Sequence, residues 1–268
     1  MVAAENFWGS IASQLAGGKA TVRSIIVNPA TDPHSYDPTS SDSRTLASAK
    51  LAIVNGIGYD NWASQLVKAN PLPGRITLDV GDLLGLKDGD NPHQWYSPSH
   101  VARVVSAITT DLTRLAPADA SYFRHRRTEF VDDALSRYHE LIAEIRRRFS
   151  GVPVGYSESI FQPLGQALGL KLATPYSFVK AVAEGTEVSA SDIETVDRQA
   201  QQHEIKVWIF NSQNATPEVA HVNALARAAH IPIATVTETL SPATDSFQQW
   251  QVAELLGLEK ALHRATGR

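Results

Sequence analysis

Two short segments in the first half of the chain share one local grammar. Asp32-Pro33-His34-Ser35-Tyr36 and Asn91-Pro92-His93-Gln94-Trp95 each place Pro-His-x-aromatic ahead of a helical pattern. Proline fixes the backbone on the amino side of each histidine and restricts the residue before it. The aromatic two places on is set to pack against the imidazole. A lone histidine framed this way reads as a hydrogen-bonded loop residue, whereas two with the same framing read as donors to a shared metal ion. Two neutral imidazoles hold a divalent transition metal weakly, so carboxylates are expected to complete the set. Glu158, in Tyr156-Ser157-Glu158-Ser159, and Asp245, in Ala243-Thr244-Asp245-Ser246-Phe247, both fall at strand-to-helix turns of the second half. Simpler roles stand open for both. Asp245 suits an N-cap, in competition with Ser246, and Glu158 suits a helix N-terminus electrostatically.

Other chemistries fit less well. Gly155-Tyr156-Ser157-Glu158-Ser159 approaches the Gly-x-Ser-x-Gly nucleophile elbow, with Asp245 and His263 following in order for a serine hydrolase using Ser157. Ser159 stands where the tight turn wants glycine, and His263 has no motif around it. His139-Glu140 and His203-Glu204 fail the His-Glu-x-x-His pattern, since Ala143 and Val207 occupy the last positions. Gly56-x-Gly58 lacks the third glycine of a dinucleotide loop, because Asn61 replaces it. No catalytic residue and no organic cofactor are therefore expected.

The elements that position these residues alternate between short strands and amphipathic helices, an α/β signature. Strands are expected at Val2–Glu5, Thr21–Val27, Leu51–Asn55 and Arg75–Val80, then at Val152–Tyr156, Lys171–Thr174, Val207–Phe210 and Ile231–Val236. Helices are expected near Asn6–Ala16, Ser40–Ala49, Trp62–Ala69 and Pro98–Leu115, then near Ile160–Ala167, Ala190–Gln202, Pro217–Ala229 and Phe247–Leu262. Between the halves, Asp119–Phe149 contains neither glycine nor proline and repeats apolar residues at helical spacing. As one helix it would measure roughly 46 Å at 1.5 Å per residue. The expectation is two similar α/β lobes with parallel-type sheets, at 1–117 and 151–268, joined by one rigid spine helix over 118–150. The metal site would lie in the cleft between lobes, where ligands commonly bind.

Composition bounds the partners. The chain of 268 residues carries 24 Lys and Arg against 28 Asp and Glu, a net charge of −4, which argues against nucleic acid as partner. No apolar run reaches a membrane span. The absence of cysteine fits an exported protein. Met1 precedes an apolar triplet that already reads as strand, so a chain cut from a longer precursor is expected, its export segment or lipid anchor lost.

Across essentially its whole length the sequence resembles the metal-binding (zinc, manganese and iron) solute-binding proteins of ABC importers, the cluster A receptors. Five pieces in order carry the resemblance: the first Pro-His loop; Gly56-Ile57-Gly58-Tyr59-Asp60-Asn61-Trp62, similar to Gly-x-Gly-x-acid-x-Trp; Asn91 to Pro98; the spine helix with Ser157-Glu158-Ser159-Ile160-Phe161; and Thr244-Asp245-Ser246-Phe247. The resemblance implies four ligands, His34, His93, Glu158 and Asp245, for one divalent transition-metal ion. It also implies a permease of an ABC importer as partner, a monomer outside the cytoplasm, and a stiff spine that keeps closure small. Zinc-selective members typically have histidine at the third ligand and a His-rich loop in the first lobe. Glu158 and the missing loop point instead to Mn²⁺ or Fe²⁺, with Zn²⁺ still able to bind tightly. Binding is expected to weaken in acid as the donors take up protons. The rival of the same architecture is a siderophore or haem receptor.

Overall fold

The computed structural model describes residues 1–31 and 33–268, the side chain of His34 excepted. The chain divides into two compact units, residues 1–136 with 239–248, and residues 137–238 with 249–268.

In the first unit β1 (Val2–Glu5) runs directly into α1 (Asn6–Ala16), followed by β2 (Arg23–Ile26), α2 (Ser40–Ala47), β3 (Leu51–Val54), α3 (Asn61–Ala69), β4 (Ile76–Asp79), α4 (Val80–Leu84) and α5 (Pro98–Leu115). The four strands are parallel in the order β2-β1-β3-β4. Every residue of β1 and β3 is buried, as expected of parallel strands covered on both faces. Val2, Ala4, Ala52 and Val54 pack with Leu46 of α2 and with Trp62 and Ala63 of α3. Alpha1 lies so close to the sheet that a Cβ on Gly9 would meet Ser24 Oγ at 2.0 Å. Alpha5 begins at Pro98, where the missing N–H is harmless, and buries Val101, Val104, Val105, Ile108 and Leu112 along one face.

The stretch expected as one helix is helical but not uniform. Alpha6 (Ala120–Thr128) passes into a π-helical turn over Glu129–Ala134, and α7 (Ser136–Phe149) follows. The Leu135 N–H donates to the Phe130 carbonyl at 2.9 Å, five residues back. Phe130 and Leu135 are both buried. In a regular α-helix a five-residue separation sets side chains about 140° apart, and the extra residue of a π turn brings them onto one face.

The second unit repeats the topology. Strands β5 (Pro153–Tyr156), β6 (Lys171–Leu172), β7 (Val207–Asn211) and β8 (Ile233–Val236) form a parallel sheet in the order β6-β5-β7-β8. Its helices are α8 (Gln162–Ala167), α9 (Tyr176–Glu184), α10 (Ala190–Gln201), α11 (Pro217–Ala228) and most of α12 (Phe247–Thr266). Relative to their own first strand, both sheets run second, first, third, fourth. The strand order reverses beside the first strand, and ligands of open α/β sheets bind outside the carboxyl ends at such switch points. No helix among the described residues is long and apolar enough to cross a membrane.

Candidate metal centre

His93 lies in the loop after α4, just ahead of a 3₁₀ turn at Gln94–Tyr96, and is fully buried. Its Nδ1 stands 2.7 Å from Asn91 Oδ1, and the same oxygen accepts the His93 backbone N–H at 3.0 Å. An atom that accepts a backbone N–H must be the amide oxygen, so the ring nitrogen facing it carries the proton. The neutral imidazole then keeps its lone pair on Nε2, the form a metal ligand needs. As the spacing predicted, Trp95 packs on this imidazole, with centroids 5.3 Å apart in an edge arrangement. Tyr59 meets the ring from another direction at 6.0 Å, and Phe7 stacks on Trp95 at 4.0 Å. The loop is tied to the end of β3 through Asn55, whose Nδ2 donates to the Pro92 carbonyl at 3.0 Å while its Oδ1 accepts from Trp8 Nε1 at 3.0 Å.

The Gly56–Trp62 turn is closed by a buried acid. Gly56, Ile57 and Gly58 all have positive φ, at 68°, 60° and 77°. Glycine tolerates this, and a β-branched residue rarely does. Asp60 holds the turn by accepting the backbone N–H groups of Asn55 at 2.7 Å and Gly56 at 2.8 Å. Burial pushes the Asp60 carboxyl up to about 6, against the pull of those two donors. Beside it Glu5, the last residue of β1, is fully buried. Burial first, then the nearby charge of Asp60, holds Glu5 well above its ordinary value of 4.5. Neither Asn91, Asn55 nor Glu5 was among the expected site residues. Glu5 had a signal in the sequence, as an acid closing an otherwise apolar strand.

In the second unit Glu158 follows β5 and is buried. It precedes the 3₁₀ turn Ser159–Phe161 without capping it through its side chain. Its Oε2 accepts from Asn214 Nδ2 at 2.9 Å. Ser157, the nucleophile of the hydrolase reading, is buried and its Oγ accepts the Asn211 N–H at 3.1 Å, linking the carboxyl ends of β5 and β7.

Asp245 falls in the segment 239–248 that belongs to the first unit. It precedes α12 by two residues, so the N-cap position is that of Ser246. The first N–H of α12, on Phe247, is met by Ser10 Oγ at 2.9 Å. His34 has its backbone in the 3₁₀ turn Pro33–Ser35, and its side chain lies outside the described residues, as does Asp32. Tyr36, the aromatic of that loop, packs edge-on against Trp62 at 4.9 Å and donates its hydroxyl to Asp42 at 2.9 Å. Among the described residues, no three His, Cys, Asp or Glu side chains gather as a metal-holding group. Of the expected donors, His93 and Asp245 belong to the first unit and Glu158 to the second.

Comparison with known proteins follows the same lines. The family described as zinc-uptake complex component A, periplasmic (ZnuA), matches residues 1–261. The manganese-binding lipoprotein MntA of Halalkalibacterium halodurans is 26% identical over 169 residues, 60% of this chain and 55% of that protein. The iron-binding protein YfeA of Yersinia pestis is 27% identical over 172 residues, 60% of this chain and 54% of that protein. The chain therefore spans little more than half the length of these two relatives. Among solved structures, the Mn-bound periplasmic metal-binding protein from Candidatus Liberibacter asiaticus superposes with a TM-score of 0.80 at 21% identity, covering 97% of this chain and 98% of that one. At that identity the likeness establishes a shared fold.

Proposed function

Because the chain belongs to the family of periplasmic zinc-uptake complex component A, we propose that it is the extracytoplasmic solute-binding protein of an ABC importer. It captures one divalent transition-metal ion and delivers it to the permease, acting as a monomer and without contact to nucleic acid. His34, His93, Glu158 and Asp245 are the ligands. The observation that carries this reading is His93: a wholly buried imidazole whose proton is pinned on Nδ1 by Asn91 at 2.7 Å. A buried histidine prepared in one tautomer by a neighbour that contacts its other nitrogen is the usual arrangement around metals.

The donor set sets the preferred cargo. Two imidazoles and two carboxylates make an oxygen-rich shell that suits Mn²⁺ or Fe²⁺. Zinc remains a competent ligand in dilute solution, since affinities of such sites rise from Mn²⁺ through Fe²⁺ to Zn²⁺. Nothing is bonded or cleaved: capture and release of the ion are the whole activity.

Titration of the metal-free protein with Mn²⁺, Fe²⁺ under reducing conditions and Zn²⁺ tests the proposal. One equivalent is expected to bind tightly to the natural sequence, and His93→Ala and Glu158→Ala are each expected to lose on the order of 100-fold or more in affinity with circular dichroism unchanged. Unaltered affinity in both variants refutes the site.

A further inference from the structure

Asn214 sits in the loop between β7 and α11, three residues beyond the end of β7, with its side chain half-buried. Its amide makes two contacts from one atom. Nδ2 donates to Glu158 Oε2 at 2.9 Å and to the Val182 carbonyl at 3.3 Å. Both partners are acceptors and neither can donate, so the group facing them is the NH₂ and the amide orientation is fixed by chemistry. Val182 lies in the last turn of α9, near the left-handed Gly185 that ends the helix. One –NH₂ thus contacts a buried carboxylate and adds a second donor to a carbonyl in the last turn of α9, which also accepts the Gly185 N–H at 3.3 Å.

We propose that Asn214 is a positioning residue for the metal site, holding the Glu158 carboxylate in its ligating orientation and coupling it to the C-terminal turn of α9. The inference rests on the reading of Glu158 as a ligand. Metal-bound groups are usually oriented by such partners, whose removal typically costs about 10–100-fold in affinity. The loss is expected to differ between ions. Mn²⁺ prefers an oxygen-rich, high-coordination shell and depends on both carboxylate oxygens being aimed, whereas Zn²⁺ accepts four donors and tolerates one oxygen. Without the amide, Glu158 loses a donor to its charged form, and the Val182 carbonyl loses its tie to the β7–α11 loop.

The test compares the natural protein with Asn214→Ala and Glu158→Ala, measuring Mn²⁺ and Zn²⁺ affinity, the melting temperature of the metal-free protein, and amide hydrogen exchange across 180–188 with and without Mn²⁺. The expected result for Asn214→Ala is a loss of about 10–100-fold for Mn²⁺ and a smaller one for Zn²⁺. Melting stays within about 2 °C, and the slowing of exchange at the end of α9 that Mn²⁺ produces in the natural protein disappears. If Glu158→Ala abolishes binding while Asn214→Ala binds both ions as the natural protein does, the positioning role is overturned and the ligand reading stands. An equal loss for both ions, accompanied by a lowered melting temperature, also overturns it, because a purely structural defect explains that pattern. If Glu158→Ala binds normally, the ligand reading itself fails and takes this inference with it.

Discussion

Replacing Glu5 by glutamine turns the buried carboxyl pair into a measurement. Glutamine keeps the shape of the side chain but carries no titratable proton. In the natural protein burial and the Asp60 charge hold the Glu5 carboxyl well above 4.5. A raised carboxyl means that the folded state binds the proton more tightly than the unfolded chain does. The stability this brings is complete below about pH 4.5 and is lost as pH climbs toward the folded-state value. The loss runs at up to about 1.4 kcal/mol per pH unit until pH passes the folded-state value. Asp60, raised from 3.8 to about 6, adds its own decline of about 3 kcal/mol as pH rises through the values of its unfolded and folded states. In the Glu5→Gln protein that second decline is read by itself, with Asp60 the one carboxyl of the two left to titrate. Urea unfolding of the metal-free proteins at pH 5, 6 and 7, followed by tryptophan fluorescence and circular dichroism, should therefore show Glu5→Gln gaining on the natural sequence as pH rises, by up to about 1.4 kcal/mol per pH unit. Parallel curves, with a constant offset, would mean that burial does not hold the Glu5 proton in the folded state.

Two further substitutions probe the neighbourhood. Asn91→Ala removes the oxygen that fixes the His93 tautomer at 2.7 Å, and metal affinity measured by competition with a chromophoric chelator is expected to fall about 10–100-fold; an unchanged constant would show that the tautomer needs no help. Gly155→Ala places a Cβ 2.7 Å from both Ile205 Cδ1 and Trp208 Cε3. The indole is held in place by its Nε1 donating to Asn223 at 2.7 Å, so the variant should lose about 1–3 kcal/mol in chemical denaturation, and a neutral result would show that β5 and the indole shift without cost.

The strands, and most of the helices, were legible because a parallel sheet writes short apolar runs between amphipathic segments, and Val2–Glu5, Asn6–Ala16 and Pro98–Leu115 coincide with the expected bounds. Two helices escaped notice. Alpha4 has five residues and starts directly on the strand before it, so no loop chemistry separates them. Alpha9 begins after Pro175 without a side-chain cap, because Thr174, the capping residue the sequence offers there, spends its hydroxyl oxygen on the Tyr156 N–H at 2.9 Å. The π turn at Glu129–Ala134 was invisible for another reason: the spacing of apolar residues predicts helix, and only packing decides whether one residue is inserted. The histidine loops were readable as motifs, and the Pro-His-x-aromatic framing of His93 corresponds to a real ring contact with Trp95. The residues that prepare the donors, Asn91, Asn55 and Asn214, were not singled out. An asparagine in a loop looks like turn chemistry until its partners are known.

Those partners explain how one position in a repeated topology can carry two different kinds of glutamate. Beta1 pairs with β3 in the register Ala3 to Ile53, which continued by two residues sets Glu5 beside Asn55. Beta5 pairs with β7 in the register Tyr156 to Ile209, which continued by two sets Glu158 beside Asn211. Each unit therefore ends the strand pair at its switch point with a buried glutamate next to a buried asparagine. The neighbours then diverge. Burial first, and then the nearby Asp60 charge, favour the protonated form of Glu5, and a protonated acid must shed its proton before it can bind a cation. Glu158 meets the Asn214 amide, which donates to its Oε2 at 2.9 Å. Strand register delivers a carboxyl group to both switch points, and a different kind of residue stands against it in each, an acid in one unit and an amide in the other. Removing the Asp60 charge should accordingly lower the Glu5 value while burial continues to raise it, a change that infrared difference spectroscopy of the carboxyl stretch across a pH series would register directly.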